Sequence, residues 1–167
     1  MCFFGTKFLD NLISSNPNKL AIVNNILIDG TKAVGDITIP ENVTAIAPDA
    51  FAQYESIERN LLTSVSMANV VTIGYGAFAF NLKLRKVDMP KVTVIGARAF
   101  STCIGLTNMN MPSVTDVEWA VFEWTPSLDF EYTILPSAVN KTEFQKLKYS
   151  PQWSLREKDT YLIAERE

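Results

Sequence analysis

The side chains of this chain that could carry chemistry are few and scattered. There is no histidine, which removes the usual general base at neutral pH, the commonest metal ligand and every Ser-His-Asp or Cys-His pairing. Two cysteines remain, Cys2 near the N-terminus and Cys103 far downstream. A thiolate nucleophile needs an activating base or a positive site, and nothing in the sequence supplies one to Cys103. A Cys2–Cys103 bridge stays open, but two cysteines define no disulfide framework. Carboxylates alone can support glycosidase or metal chemistry when two face one cleft. Asp29, Asp36, Asp49, Asp88, Asp116 and Asp129 show no such pairing, and no phosphate loop, dinucleotide fingerprint or calcium-loop spacing is present. The expectation is that the chain is not an enzyme: no catalytic residue, no metal ligand, no cofactor.

The bulk numbers narrow the partners. At 167 residues the chain fits a single domain with a real core. It is 47% hydrophobic and 20% charged, with a net charge of −3, so no basic stripe announces a nucleic-acid partner. No apolar run is long enough to span a bilayer. The apolar start, Met1 to Gly5, is short, has no basic residues before it and is soon interrupted by Asp10, so it does not read as a secretory signal. Localisation therefore stays open between retention where the protein is made and export by a signal upstream.

The elements that must position any site are set by an internal repeat, which decides the fold. A small residue before phenylalanine recurs at Ala50-Phe51, Ala77-Phe78 and Ala99-Phe100, and as Val121-Phe122. Upstream, Ile46, Ile73, Ile95 and Val117 keep the same spacings of 27, 22 and 22. An apolar residue before proline marks a third column at Ile39, Met89 and Met111, with Met67-Ala68 in the second copy. Leu84, Leu106 and Leu128 form a fourth, with Ile57 taken as its first-copy member. Four columns on one period give four tandem copies. The long first interval predicts about five inserted residues around Glu58–Leu61, a loop on one face.

Within a copy, Leu84 to Met89 alternates as a short strand that Pro90 ends. Val92 to Ile95 is a second extended piece, Gly96 permits a corner, and Ala97 to Phe100 predicts a short helical turn that points Phe100 inward. Stacked coils would place Phe51, Phe78, Phe100 and Phe122 in one internal ladder and the Ile/Val column in another.

These columns resemble the BspA-like leucine-rich repeat family, through Leu84, Val87, Met89, Pro90, Val92, Ile95, Gly96, Ala99, Phe100 and Cys103 in the clearest copy and Ile37, Ile39, Pro40, Val43, Ile46, Ala50 and Phe51 in the first. The resemblance covers about residues 20–136. It implies an α/β leucine-rich-repeat solenoid, rich in β, with short parallel strands, one per coil. Members of the family are commonly exported or surface-located, and some resemble adhesins. The fourth copy departs from the pattern at Glu118, Trp119 and Val121. In that family Cys103 holds a place that often carries cysteine, and it reads as a small buried residue with a weak hydrogen bond.

A solenoid needs closed ends. Residues 1–34 are expected to form an N-terminal cap, 35–136 the array and 137–167 a C-terminal cap. Phe8, Leu9, Leu12 and Ile13 share a helical face that Asn16-Pro17 ends. Leu20–Val23 and Ile26–Ile28 flank Asn24-Asn25 as a hairpin. At the other end Asn140 and Glu143 resemble a capping box, Trp153 is placed against the last coil, and Tyr161–Ala164 reads as a final strand.

Function then falls to exposed faces. Two outward strand columns qualify: Asp36, Ser64, Lys86, Asn108 and Phe130, and Thr38, Ser66, Asp88, Asn110 and Tyr132. The candidate partner-binding set is Ser64, Ser66, Lys86, Asp88, Asn108, Asn110, Phe130 and Tyr132. Small polar groups beside aromatic anchors suit protein recognition, while a merely solvated sheet face is an even alternative. Trp119 and Trp124 are expected to pack on the C-terminal cap, and Tyr54, Tyr75 and Phe80 to be structural. The sequons at Asn42 and Asn140 carry weight only with secretion. The reading is a non-catalytic protein-interaction or adhesion-type module for a protein or surface glycan. The alternative is a structural subunit of a larger assembly, a viral particle or surface layer. Oligomeric state is open.

Overall fold

In the computed structural model residues 6–54 and 61–128 are described with their side chains, and 153–158 and 161–166 by backbone alone. The chain opens with helix α1, Lys7–Ser15. The Thr6 hydroxyl accepts the Leu9 N–H at 3.3 Å, and Asp10 lies in the first turn, where it complements the helix dipole. Leu9 and Ile13 are buried against Ala21, with Leu12 partly so. Phe8, placed on the same face by its spacing, is half exposed; the buried stripe is only one residue wide here, and Phe8 falls on its edge. The helix ends at Asn16 in extended backbone, as the following proline requires.

A hairpin follows, β1 (Ala21–Val23) against β2 (Ile26–Asp29). Asn24 and Asn25 have φ of 49° and 64°; two left-handed residues are what a tight two-residue hairpin turn demands, and asparagine tolerates them. β2 then pairs in parallel with the first coil, so the hairpin is itself the first rung of the array.

Each coil has three sides. On the first, β3 (Gly35–Thr38), β5 (Leu62–Ser66), β7 (Lys86–Asp88) and β9 (Asn108–Asn110) form a four-stranded parallel sheet. On the second, β4 (Ala45–Ile46), β6 (Thr72–Ile73), β8 (Val94–Ile95) and β10 (Asp116–Val117) extend the hairpin into a six-stranded sheet. The second extended piece of each repeat is therefore also a strand, and a coil contributes two rather than one. Inward residues follow the two-residue period: Ile37, Val65, Val87 and Met109 on one sheet, Ile46, Ile73, Ile95 and Val117 on the other, all buried.

The strand register corrects one column. Ser64 pairs with Lys86, so Leu62, buried in the core, stands opposite Leu84 in the place assigned to Ile57. The inserted residues thus precede Leu62, and both Ile57 and the predicted loop at 58–60 lie outside the described residues.

The third side is a run of turns rather than a helical turn. Ala99 N donates to Gly96 O, Ser101 N to Arg98 O and Cys103 N to Phe100 O, at 3.0–3.3 Å. The third residue of the first turn is left-handed in every coil: Asp49, Gly76, Arg98 and Ala120 have φ of 54–58°. Phe80, Thr102 and Trp124 form a second such column, with φ of 55–63°. This is the φ signature of type II turns. It replaces the helix because alternate N–H groups point to the next coil: Phe51 N donates to Ala77 O at 2.7 Å, Phe78 N to Ala99 O at 2.8 Å and Phe100 N to Val121 O at 3.0 Å.

The four phenylalanines lie just inside this third side and stack face to face. Successive centroids are 4.8, 5.2 and 5.9 Å apart, with interplanar angles of 9°, 5° and 17°. Gly30 ends the ladder, since a Cβ there would clash with the Cε1 edge of the Phe51 ring. Gly74 and Gly96 let coils approach: a Cβ at Gly96 would sit 2.7 Å from the Tyr75 nitrogen. In the last described coil Glu118 replaces that glycine, and its carboxylate accepts the Ala97 N–H at 2.9 Å.

Further on, β11 (Trp153–Lys158) and β12 (Tyr161–Arg166) form an antiparallel hairpin, which includes the strand expected at Tyr161–Ala164. The expected helix after Asn140 lies outside the described residues, as do Cys2 and the side chain of Trp153.

Candidate interaction surfaces

The strand side carries the candidate columns, and the pairing aligns them as their spacing requires. Asp36, Ser64, Lys86 and Asn108 are consecutive partners, as are Thr38, Ser66, Asp88 and Asn110. Phe130 and Tyr132 lie outside the described residues. Most of these side chains engage one another. Thr63 and Ser64 donate to the Asp36 carboxylate at 2.6 and 2.7 Å, which holds its pKa below the ordinary value, Thr63 contributing most. Asn110 donates to Asp88 at 2.7 Å, and Ser66 at 3.5 Å. An open cleft of about 470 Å³ lies over Asp36, Thr63, Ser64, Lys83, Arg85 and Lys86.

The buried edge of the turn side shows what Cys103 does. Asn81, Cys103 and Thr125 occupy one column, each at most 1% exposed. Asn81 donates to Phe51 O at 2.8 Å, the Cys103 thiol to Phe78 O at 3.1 Å and Thr125 to Phe100 O at 2.9 Å. Each donor reaches the carbonyl of the ladder phenylalanine one coil back, so a buried side chain ties each pair of coils together. Burial pushes the Cys103 thiol up to about 12. A thiol so protonated is a poor nucleophile; Cys103 is a structural donor.

The outer surface of the same side is aromatic. Tyr54, Tyr75, Phe80, Trp119 and Trp124 are 40–60% exposed; the C-terminal cap against which the tryptophans are expected lies outside the side chains described. Arg98 lies among them, its guanidinium carbon 4.7 Å from the Trp119 ring centroid and its Nε 3.5 Å from Glu123. Tyr54 packs edge-on against Phe80 at 5.4 Å and donates its hydroxyl to Asp49 at 2.7 Å. Partial burial, then the Asp49 contact, raise the Tyr54 phenol above its ordinary pKa. A cleft of about 280 Å³ runs across four coils, from Tyr54 through Tyr75 and Phe80 to Arg98, Glu123 and Trp124. Apart from one spacing, nothing in the linear order of the sequence links these aromatics to one another or to Arg98. Tyr75 and Trp119, and Phe80 and Trp124, are each separated by two 22-residue periods, a doubled repeat that could have joined them.

Among the described residues no group of three or more His, Cys, Asp or Glu could hold a metal ion, and no helix is long and apolar enough to cross a membrane.

The BspA type leucine rich repeat region model matches residues 21–152 in six copies. The chain belongs to this BspA-type family. The six copies exceed the four read from the phenylalanine column; at the N-terminal end β2 supplies a rung in which Gly30 lies against the Phe51 ring. Among solved structures, a leucine rich cell surface protein from Faecalibacterium prausnitzii A2-165 is similar, with a TM-score of 0.50 and 25% identity over 68% of this chain. The chain spans 39% of that protein's length. A leucine rich repeat protein of T. pallidum matches with a TM-score of 0.36 and 16% identity, over 74% of this chain and 86% of its own. No curated protein sequence matches the chain.

Proposed function

We propose that this BspA-type repeat array is a non-catalytic interaction module of the adhesion type, which presents its outer faces to a protein or surface glycan. The observation that carries this reading is the division of the molecule. The interior is occupied by apolar ladders that hold coils together, while the strand-face side chains that meet water change character from copy to copy. The similarity to a cell surface protein supports a surface setting, and the buried, protonated Cys103 argues against thiol catalysis. Function on such scaffolds lives in grafted sites. The strand columns Ser64, Ser66, Lys86, Asp88, Asn108 and Asn110, with Phe130 and Tyr132 beyond, form one proposed face.

The test is a solid-phase binding screen of the immobilised chain against matrix proteins and surface glycans. It is repeated with Lys86→Ala/Asn108→Ala and with Phe130→Ala/Tyr132→Ala. A captured ligand lost in either double variant supports the strand face. Equal capture by both removes that face from the proposal, and turnover of a screened ligand would overturn the non-catalytic reading.

A further inference from the structure

We infer that the strand face carries a binding site for an acidic peptide segment, formed by Lys83, Arg85 and Lys86. The inference rests on the interaction-module reading and names the partner chemistry of one place on that face.

The repeat does not call for these charges. One coil back the same three places hold Leu61, Thr63 and Ser64, and one coil on they hold Gly105, Thr107 and Asn108. The register makes these neighbours in space. Lys86 pairs with Ser64 and Asn108, while Arg85 N donates to Thr63 O and Thr107 N to Arg85 O. Leu84 and Val87 are buried in the core, and the three cations are exposed. Long cationic side chains thus rise from a single coil between uncharged neighbours. They border the cleft of about 470 Å³ that they share with Asp36, Thr63 and Ser64.

Their charge is uncompensated. Arg98 is paired with Glu123 and Lys32 with Asp10, and Lys91 donates to Asn69. Among the described residues no salt bridge or hydrogen bond engages the charged ends of Lys83, Arg85 and Lys86. Asp36, the carboxylate among the described residues of the cleft, instead accepts from Thr63 and Ser64. In a chain of net charge −3, three cations against one carboxylate make a local positive site, which draws anions and speeds their encounter. The Arg85 guanidinium adds a planar fork that matches a carboxylate.

The limits of the positive patch select the occupant. Asp36 bounds it two coils back. Asp88 bounds it two residues on in β7, its carboxylate held by Asn110 and Ser66. A heavily sulfated glycan carries charge along its whole length and would lay some of it over these carboxylates, where like charges repel. A glycan ending in a single carboxylate neutralises one cation of the three. An acidic peptide can set two or three carboxylates over Lys83, Arg85 and Lys86 and continue in uncharged residues past Asp36 and Asp88.

The full chain is titrated by calorimetry with a capped Gly-Ser peptide that carries three consecutive glutamates. The same peptide with glutamines, a heparin hexasaccharide and sialyllactose are titrated alongside. Saturable binding by the Glu peptide is expected, falling as NaCl rises from about 20 to about 200 mM. Arg85→Gln and Lys83→Gln/Lys86→Gln should each weaken it about tenfold or more, with circular dichroism establishing that the fold is intact. Lys91→Gln, on the same coil but outside the cleft, should leave it unchanged. Asp36→Asn, which removes the opposing carboxylate, should tighten it about threefold, a gain that no damage to the fold would produce. Absence of saturable Glu-peptide binding, equal binding by the Gln peptide, equal weakening by Lys91→Gln, or tighter binding of heparin or sialyllactose overturns the proposal. A ligand captured in the binding screen and lost in Phe130→Ala/Tyr132→Ala would stand even then, so the two readings fail separately.

Discussion

The strand side and the turn side of this solenoid repeat on the same period yet handle their side chains in opposite ways. On the strand side, small polar residues bridge coil to coil: Ser64 to Asp36, Asn110 to Asp88. On the turn side, hydrogen bonding between coils is left to the backbone and to the buried column of Asn81, Cys103 and Thr125. Outward side chains there add fewer polar bridges, chiefly Arg98 to Glu123 and Glu118 to the Ala97 N–H, and large aromatics stand exposed. A repeat keeps its coils registered if each side supplies inter-coil bonds from somewhere.

The largest test of this contrast removes interior support beneath the turn side. Phe100→Ala should cost about 3–5 kcal/mol in chemical denaturation, because Phe100 stacks on both Phe78 and Phe122 and is fully buried. A loss below about 1 kcal/mol would mean that the ladder is not what holds these coils. Next comes the buried donor column. Cys103→Ala should cost about 1 kcal/mol by removing one buried bond between coils, the Phe78 carbonyl still accepting from Asn81, and Cys103→Thr, which matches its neighbour Thr125, should recover most of it. The thiol also sets a pH dependence. Its folded pKa is raised, so its stabilising effect is complete below the ordinary thiol range and is lost as pH rises toward about 12. Equilibrium unfolding of wild type from pH 8 upward should show this decline, and Cys103→Thr should remove that share of it. The smallest effect sharpens the comparison: Trp124→Ala, 60% exposed in the wild type, should change stability by no more than about 0.5 kcal/mol. A larger loss would show that the aromatic face is structural after all.

Much of the array was legible because its interior repeats. Burial imposes apolar residues at fixed intervals, so the phenylalanine and isoleucine columns, the strand face and the N-terminal hairpin could all be read from spacing. Ile57 was misplaced because an insertion breaks local counting, and only hydrogen-bond register shows that Leu62 resumes the column. The third side was read as a helical turn because Ala97-Arg98-Ala99 has helical propensity. Left-handed backbone at Arg98 and Ala120 is imposed by N–H groups reaching for the next coil, a demand from outside the segment. The aromatic face escaped notice for a related reason: exposed residues obey no burial period, and their alignment is visible only once coils are stacked.

The sequence by itself therefore determined the period, the ladders, the family and the absence of histidine chemistry, because each depends on residue type and spacing along the chain. The tertiary structure decided which outward side chains meet. Tyr54, Phe80, Arg98 and Trp124 come from four different coils, and proximity between coils is fixed by inter-coil hydrogen bonds and not by the order of residues within any one repeat.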